Sequence, residues 1–470
     1  MRHLQISFAA AVALLLHQPF AASAVQAEDT VDRVVIEDEL IGYWAGAHMR
    51  GDGMLRVNYR FARDEDGALA AYKFYPDWIF YPEFGPNPVE IDEEGRVVLP
   101  QARGGEAVLT FDRLYNQLVG PNGAAIPAQT LYLSRAARPP EPPVIEREIR
   151  LGENNDIAAY VFLPQGDGPF AGVVLNQGRG CFRSARPQQV AGLLARYGVA
   201  AIAYDKPGTG DSAGDCSDNR FEDYVRIGVA ARDHLAGLDR VDPERIGLFG
   251  SSLGAWTAPA VGEALIETGR PAPAFIMTWV GPATSIAQQQ RDAAASIGAE
   301  LGLGADELAL VYRSVEIALD RGMDDRAAYR ELMEIRAAAE AGGWLDAMFA
   351  PDDFPADAQS VDGLFLRRFQ YDPAQAHDTL AGTPWLAIMG EDDPVVPFEV
   401  NADALREGLG DNDAETLRIV GLPGVGHAQE RGDVWRTLGD GTAYFKFDRV
   451  EAEFLDEMVV FLREEGFAPR

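Results

Sequence analysis

Histidine, cysteine and positive charge are all in short supply in this sequence. Its 470 residues include only six histidines and two cysteines, with no Cys-x-x-Cys pair or Cys/His cluster of the kind that holds a metal ion. There are 41 lysines and arginines against 73 aspartates and glutamates, which gives a net charge of -32. Such an acidic chain argues against nucleic acids and anionic membrane surfaces as partners. We interpret the charge as an aid to solubility.

Long apolar runs are missing after the N-terminus, so no later stretch is predicted to cross a membrane. Residues 6–16 are apolar but too few to span a bilayer, and a weakly positive start precedes them. Small residues follow at 22–24 and again at 25–27, and either set fits a cleavage site. Residues 1–27 are therefore predicted to be a secretory signal peptide. The mature protein is expected to be periplasmic or secreted.

The chain is too long for one ordinary core, and its patterns divide it. Residues 28–135 carry short apolar–polar alternations separated by turns rich in Gly and Asp, which predict a small antiparallel β-domain, either a barrel or a sandwich. The aromatic stretch 74–82 within it either lines a ligand-facing surface or belongs to the core. A Pro-rich segment at 136–143 predicts a stiff linker.

The remaining residues follow a different rhythm. Continuous apolar runs of strand length alternate with helix-length segments in 144–285 and again in 384–470. This alternation is typical of a mostly parallel sheet with helices on both faces. Residues 286–383 lose it and become rich in alanine and isolated charges, which predicts a helical cap that roofs a pocket.

One pentapeptide concentrates the chemistry of the chain. Gly250-x-Ser252-x-Gly254 directly follows an apolar run and precedes a helix-compatible segment. A side chain on either glycine would clash in so tight a strand–turn–helix, and the turn projects the serine hydroxyl outward. Ser252 is therefore the predicted nucleophile. The backbone N–H of Leu253, at the start of the helix, is the first predicted donor to an oxyanion.

A serine nucleophile needs a base and an orienting carboxylate. Of the six histidines, two lie in the signal segment, one in the β-domain, one inside a predicted helix and one in the cap insert. The remaining one, His427, stands in a glycine-rich loop after the last predicted strand. Asp392 and Asp393 both follow the preceding strand, and the Gly-x-x-Asp spacing before Val-Val-Pro favours Asp393 as the acid.

The loop after the third strand of this second region, residues 176–181, is predicted to supply the second oxyanion donor. Its glycines let the backbone approach a substrate, and the N–H of Arg179 is the favoured donor. Arg179, Arg183 and Arg186 also make this region positive. That charge either attracts an anionic substrate group or forms salt bridges with nearby acids, for which the candidates are Asp205, Asp211 and Asp215.

The two cysteines each follow a predicted strand, and both strands should end at the same edge of the sheet. A pair of cysteines in an oxidising compartment is more often bridged than free. We therefore predict a disulfide between Cys181 and Cys216, with two unpaired cysteines as the alternative.

These motifs together resemble the bacterial α/β-hydrolases of the esterase and serine-aminopeptidase-like branch. Residues 204–212 are similar to the family stretch Tyr-Asp-x-Arg-Gly-x-Gly-x-Ser, and the Gly-x-Ser-x-Gly, Gly-x-x-Asp-x-Val-Val-Pro and Gly-x-Gly-His stretches also match. The resemblance covers about residues 144–470. It implies the α/β-hydrolase fold, with a mostly parallel eight-stranded sheet and a helical cap. The preceding domain resembles, more weakly, the small β-domain of some exported esterases in this group.

Two positions depart from the family pattern. Gln177 stands where relatives usually have His in the oxyanion loop, and Pro207 replaces the usual Arg of the next loop. The first change is expected to alter the oxyanion geometry, and the second to loosen the anchoring of the oxyanion loop.

We therefore expect a serine hydrolase that cleaves small-molecule acyl esters through Ser252, His427 and Asp393, without a cofactor, a metal or an obligate protein partner. A serine peptidase with the same triad is the first alternative. It would need acidic side chains to bind a free amine, and the cap offers Glu334, Asp352 and Asp353. The second alternative, a binding protein on a hydrolase scaffold, is disfavoured because such a protein has no use for an activated serine.

Overall fold

The structure is a computed structural model that describes most of the chain after the N-terminal segment. The described residues are 33–50, 53–74, 84–100, 105–123, 129–137, 144–348, 354–409, 416–429, 436–437, 443–444 and 450–469. The predicted signal peptide, most of the predicted linker and residues 75–82 of the aromatic stretch lie outside these ranges.

The first folded region is a nine-stranded antiparallel sheet. Its strands are β1 (Gly42–Arg50), β2 (Gly53–Arg63), β3 (Leu69–Phe74), β4 (Phe84–Pro88), β5 (Glu90–Ile91), β6 (Val97–Pro100), β7 (Glu106–Asp112), β8 (Gln117–Asn122) and β9 (Gln129–Ala136). Their order is β4-β3-β2-β1-β9-β8-β7-β6-β5. The two edge strands, β4 and β5, are separated in the chain by Val89 alone, so the sheet curls until its edges approach each other. Of the two predicted forms, this is the barrel.

A helix, α1 (Arg33–Leu40), begins this region, where the alternating sequence pattern predicted only strands. Ile36 and Leu40 are four residues apart, so they lie on one helix face, and both are buried in the barrel core. Trp44 on β1 is fully buried beside them, and its indole N–H donates a 2.8 Å hydrogen bond to the Leu40 carbonyl. The helix therefore closes one part of the barrel core that strands alone would leave open.

The second region contains an eight-stranded mixed sheet. Its strands are β10 (Val144–Leu151), β11 (Ile157–Pro164), β12 (Phe170–Asn176), β13 (Ala200–Tyr204), β14 (Val241–Ser251), β15 (Ile276–Trp279), β16 (Trp385–Gly390) and β17 (Leu417–Leu422). Their order is β10-β11-β13-β12-β14-β15-β16-β17. β11 runs antiparallel to both of its neighbours, β10 and β13, and the pairs from β13 through β17 are all parallel.

Helices cover both faces of this sheet, because its central strands are apolar on both sides. One face packs against α2 (Ala185–Arg196) and α11 (Glu453–Glu464). The other packs against α3 (Phe221–Ala236), α4 (Gly254–Glu267), α9 (Ala374–Thr379) and α10 (Phe398–Leu409). A short pair, β18 (Arg436–Thr437) and β19 (Ala443–Tyr444), follows β17.

The insert between β15 and β16 is helical, as its composition predicts. It contains α5 (Ile286–Leu301), α6 (Ala305–Leu319), α7 (Asp325–Gly342) and α8 (Phe365–Arg368), with its own apolar cluster. A second cluster joins it to the sheet region and includes Leu253, Trp256, Val315 and Phe365. The insert therefore packs directly over the residues that follow Ser252. None of the helices in the described part of the chain is long and apolar enough to cross a bilayer.

Candidate functional site

The turn after β14 holds Ser252 in a strained backbone conformation. Its φ is +52°, a left-handed value that non-glycine residues seldom adopt, and such strain tends to mark functional sites. A Cβ on Gly250 would overlap the Gly254 carbonyl, and a Cβ on Gly254 would overlap the Asn176 carbonyl. The two glycines are thus required where strand, helix and neighbouring loop meet backbone to backbone.

His427 and Asp393 approach the serine from the loops that follow β17 and β16, which are parallel and adjacent to each other. Ser252 Oγ lies 3.0 Å from His427 Nε2, and His427 Nδ1 lies 2.8 Å from Asp393 Oδ2. The three side chains come from loops at the carboxyl ends of β14, β16 and β17. All three residues predicted from the sequence are thereby brought into one continuous hydrogen-bonded row, with the imidazole partly exposed and the carboxylate enclosed.

The Asp393 carboxylate has no exposed surface, and its hydrogen bonds offset the desolvation cost of a buried charge. Oδ1 accepts the backbone N–H groups of Val395 and Val396 at 2.8 and 2.9 Å, which leaves Oδ2 for the imidazole. Asp392 is exposed, and its backbone N–H bonds the Val425 carbonyl. Of the two competing aspartates, Asp393 is the one that meets His427. The side chain of Gln289 on α5 donates to the Val395 carbonyl, so the cap insert also supports this loop.

The loop after β12 lies against the serine on the opposite side. A Cβ on Gly178 would stand 3.3 Å from the Ser252 Cβ and 3.9 Å from its Oγ, so the Gly178 backbone packs closely against the serine. Arg179 follows in the chain, and Leu253 follows Ser252. No backbone carbonyl of the described residues accepts the Leu253 N–H. The two predicted oxyanion donors therefore belong to backbone segments that flank the hydroxyl.

An apolar pocket lies between this loop and the cap insert. It encloses about 500 Å³ of space, part of it open to solvent, and its walls are Arg179, Ser314, Val315, Ala318, Leu332, Met348, Phe354, Pro355, Leu364, Phe365 and Leu366. The Arg179 guanidinium lies 4.1 Å from the centre of the Phe365 ring, in a cation–π contact. Burial and the nearby Arg368 lower the pKa of Arg179 to about 10, so it keeps its charge at neutral pH. The pocket thus combines apolar walls with one cation.

The arginines of this region have separate partners. Arg183 forms an ion pair with Asp211 and a hydrogen bond to the Tyr160 hydroxyl. Arg179 instead faces the pocket. Of the two roles predicted for the positive charge, Arg183 has the structural salt bridge, whereas Arg179 is the residue in a position to meet a ligand. The Arg186 side chain lies outside the described part of the structure.

Cys181 and Cys216 form a disulfide, with their Cα atoms 5.8 Å apart. The bond ties the loop after β12 to a short 3₁₀ helix, Cys216–Asp218, in the segment after β13. It therefore restrains the same loop that contacts Ser252.

The other histidines within the described residues are structural. His48 is buried in the β-barrel and lies 3.5 Å from the Asn122 amide nitrogen. His377 is buried on α9, edge-on to the Trp385 ring at 5.5 Å between ring centres. Burial lowers the pKa of each to about 4, so both are neutral at pH 7. His234 lies on α3, as predicted, away from the serine loop.

A family model described as "Alpha/beta hydrolase family" matches residues 160–435, which is more than half of the chain. This chain belongs to the alpha/beta hydrolase family. Its coarse class, a hydrolase, follows from that membership. No curated protein matches the sequence.

Solved structures that resemble this alpha/beta hydrolase are distant in sequence. They include carboxyl esterase 2 from the mycorrhizal fungus Tuber melanosporum (17% identity, TM-score 0.41, 72% of this chain and 90% of that one). Puromycin hydrolase is 14% identical, with a TM-score of 0.41 over 88% of this chain and 52% of that one. The 2,6-dihydroxy-pseudo-oxynicotine hydrolase is 18% identical, with a TM-score of 0.36 over 61% and 62%. The match thus spans about half of puromycin hydrolase and less than two thirds of the oxynicotine hydrolase.

Two residues of this hydrolase hold the loop after β12, which faces Ser252. One is itself a departure from the family pattern, and the other stands beside a departure. Gln177, in place of the usual His, donates from its side-chain amide to the Tyr204 carbonyl at 3.0 Å. Lys206, which precedes Pro207, donates to the carbonyls of Gly178, at 2.8 Å, and Gly180. The loop is therefore anchored by Lys206 although the family's Arg is missing.

Sequence reasoning missed this role of Lys206, and it also missed the role of Asp205. The Asp205 carboxylate is fully buried and accepts the backbone N–H of Ser184 at 2.7 Å, the backbone N–H of Asp211 and the Tyr160 hydroxyl. Burial raises the pKa of Tyr160 to about 12, so its hydroxyl remains a donor. The available signal was the placement of an acid and a lysine directly after the apolar strand β13.

Proposed function

We propose that this alpha/beta hydrolase cleaves carboxylic esters of small molecules by serine catalysis. The single observation that carries the proposal is the hydrogen-bonded row from Ser252 through His427 to Asp393, at 3.0 and 2.8 Å. Such a row lets a serine lose its proton during attack and lets the resulting imidazolium be stabilised by the buried carboxylate.

In the proposed reaction, Ser252 Oγ attacks the ester carbonyl carbon while its proton passes to His427 Nε2. Asp393 holds the proton on Nδ1 and stabilises the imidazolium, and the N–H groups of Leu253 and Arg179 bind the oxyanion. The bond from carbon to the alcohol oxygen then breaks, and His427 protonates the departing alcohol. Water then attacks the acyl carbon while His427 takes its proton. The bond from that carbon to Ser252 Oγ breaks, His427 returns the proton to Oγ, and the carboxylic acid leaves.

The apolar pocket beside Arg179 supports an ester substrate with an apolar acyl or alcohol part. We propose residues 286–383 as the cap that selects it. An aminopeptidase would need carboxylates where a free amine binds, yet no acidic residue lines this pocket within the described part of the chain. Glu334 is exposed on α7, and Asp352 and Asp353 lie outside the described residues.

We also propose that the protein is exported and works outside the cytoplasm. The predicted signal peptide and the Cys181–Cys216 disulfide both support this, because disulfides persist in oxidising compartments.

Hydrolysis of p-nitrophenyl esters, with acyl chains from acetate to octanoate, tests the proposed activity. Ser252→Ala is expected to lower kcat by at least about a thousandfold, because no other group takes the place of the hydroxyl. Ser251→Ala is the matched control, since Ser251 is adjacent and its hydroxyl accepts a hydrogen bond from the Gln429 side-chain amide. Full turnover by Ser252→Ala would overturn the proposal. Faster cleavage of aminoacyl p-nitroanilides than of esters would replace it with a peptidase.

A further inference from the structure

Lys206 is a buried ammonium placed on the backbone of the serine-facing loop. Only 1% of Lys206 is exposed, and its Nζ donates to the carbonyls of Gly178 and Gly180. These two carbonyls flank Arg179. A charged group buried so completely costs free energy unless it is fully hydrogen-bonded, so its retention at this point calls for a reason.

The Gly178 carbonyl and the Arg179 N–H belong to one peptide group. That group is planar and trans, so its C=O and N–H point in opposite directions. A hydrogen bond that fixes the direction of the carbonyl therefore fixes the direction of the N–H as well. A positive charge on the carbonyl oxygen also draws electron density through the amide and makes the N–H a stronger donor.

We propose that Lys206 is a positioning residue that orients and polarises the Arg179 N–H as an oxyanion donor. The inference rests on the proposed function, in which that N–H stabilises the tetrahedral intermediate. Lys206 itself does not touch the substrate and acts through the Gly178–Arg179 peptide. Gln177, which bonds the Tyr204 carbonyl, and the Cys181–Cys216 disulfide hold the loop on either side of this peptide.

The choice of lysine supports this role. The chain has only three lysines, Lys73, Lys206 and Lys446, among its 41 lysines and arginines, so arginine is its usual cation. A compact ammonium fits between two carbonyls two residues apart, whereas a planar guanidinium is bulkier and presents its donors in a fixed fork.

The charge on Lys206 gives the proposal a signature in pH. Burial lowers the pKa of Lys206 to about 8. The groups that face or adjoin it are the Tyr224 ring on α3, at 5.5 Å, and the Asp205 carboxylate, which is engaged with Ser184, Asp211 and Tyr160. Arg179 and Arg368 in turn interact with Tyr224, and burial raises the pKa of Tyr224 above its usual value. Deprotonation of Lys206 should therefore lower kcat as the pH rises through about 8.

Lys206→Met and Lys206→Gln in the full chain test the inference, with p-nitrophenyl butyrate as the probe. Removing one oxyanion donor typically costs about 10²–10³ in kcat. Because Lys206→Met weakens a donor without removing it, we expect kcat to fall about 10- to 100-fold while KM stays within about threefold. Lys206→Gln keeps a neutral donor, so its kcat should lie between the values for the wild type and Lys206→Met. Lys73→Met removes a lysine of the β-domain whose pKa burial also lowers, and should leave kcat unchanged.

The pH profile separates positioning from mere structural support. Wild-type kcat should show the alkaline loss near pH 8, and Lys206→Met should lack it. A folded Lys206→Met that keeps wild-type kcat, changes only KM or retains the same alkaline loss overturns the inference. If Lys206→Met does not fold, the kcat and pH profile of Lys206→Gln decide by the same criteria. Absence of Ser252-dependent turnover in the wild type would instead refute the proposed function itself.

Discussion

Asp393 and His427 lie 34 residues apart in the chain, and a 2.8 Å hydrogen bond joins Asp393 Oδ2 to His427 Nδ1. The contact forms because β16 and β17 are parallel neighbours whose following loops meet at one edge of the sheet. A Cβ on Gly390, the last residue of β16, would overlap the Val425 carbonyl, so the two loops pack without room for a side chain there. The adjacent Asp392 is exposed beside this contact.

Replacing Asp393 with Asn should lower kcat by about 10⁴, because an amide no longer holds the required imidazole tautomer or stabilises imidazolium. Asp392→Asn is the matched control and should retain wild-type kcat, since its side chain is exposed. Steady-state hydrolysis of p-nitrophenyl butyrate by both variants measures the difference. Equal losses in the two variants would remove Asp393 from its proposed role.

Breaking the disulfide should loosen the loop that faces Ser252. Cys181 and Cys216 are 35 residues apart in the sequence, and closing a loop of that size stabilises the fold by about 4 kcal/mol in the chain-entropy model. A Cys181→Ser/Cys216→Ser variant should therefore melt at a lower temperature and show a reduced kcat. Dithiothreitol should reproduce both effects in the wild type and add nothing to the variant. Unchanged kcat after complete reduction would mean that the loop keeps its position without the bond.

The cap pocket predicts how acyl-chain preference can be changed. Ala318→Phe should fill part of the pocket and lower kcat/KM for the octanoate ester about tenfold or more, as expected for a lost hydrophobic subsite, while acetate hydrolysis stays the same. Ala309→Phe, on the exposed face of the same helix, controls for the substitution itself. If both chain lengths are affected equally, the pocket does not bind the acyl chain.

His377 should contribute a loss of stability in acid. Burial lowers its pKa from 6.5 to about 4, so the unfolded chain binds this proton more readily than the folded one. The neutral His377 ring makes its full contribution to the free energy of unfolding above pH 6.5. That contribution, up to about 3 kcal/mol, is lost as the pH falls towards 4. His377→Phe should retain more of its neutral-pH unfolding free energy at pH 5 than the wild type does. His48 contributes the same loss of unfolding free energy in acid to both proteins, so it does not affect the comparison. Equal losses of unfolding free energy at pH 5 in the two proteins would contradict the prediction.

The parts of the fold and the site that follow from local sequence were predictable. The Ser252 turn needs glycine at 250 and 254, and the pentapeptide at 250–254 shows both glycines at the required spacing. The eight strands of the second region follow from their apolar runs, and the scarcity of histidine left His427 as the predicted base. The choice of Asp393 over Asp392 followed from spacing alone.

The parts that depend on partners distant in sequence were not predictable. Lys206 gains its role from the carbonyls of Gly178 and Gly180, about 28 residues away. Its position directly after β13 marks it as unusual, but the sequence does not show which carbonyls it contacts. The helix α1 was missed because Ile36 and Leu40 read as part of an alternating pattern until the barrel core supplies the surface against which they pack. The structural roles of such residues become apparent only from the contacts that they make in the folded chain.

The most direct test of the central claim is reaction of the purified mature protein with an active-site-directed fluorophosphonate, followed by peptide mass spectrometry. A serine activated by His427 should form a single adduct on Ser252, and prior incubation with an ester substrate should slow its formation. Wild-type protein should be labelled, and Ser252→Ala should not. A folded protein that forms no adduct, or that is labelled at another serine, would contradict the assignment of Ser252 as the nucleophile.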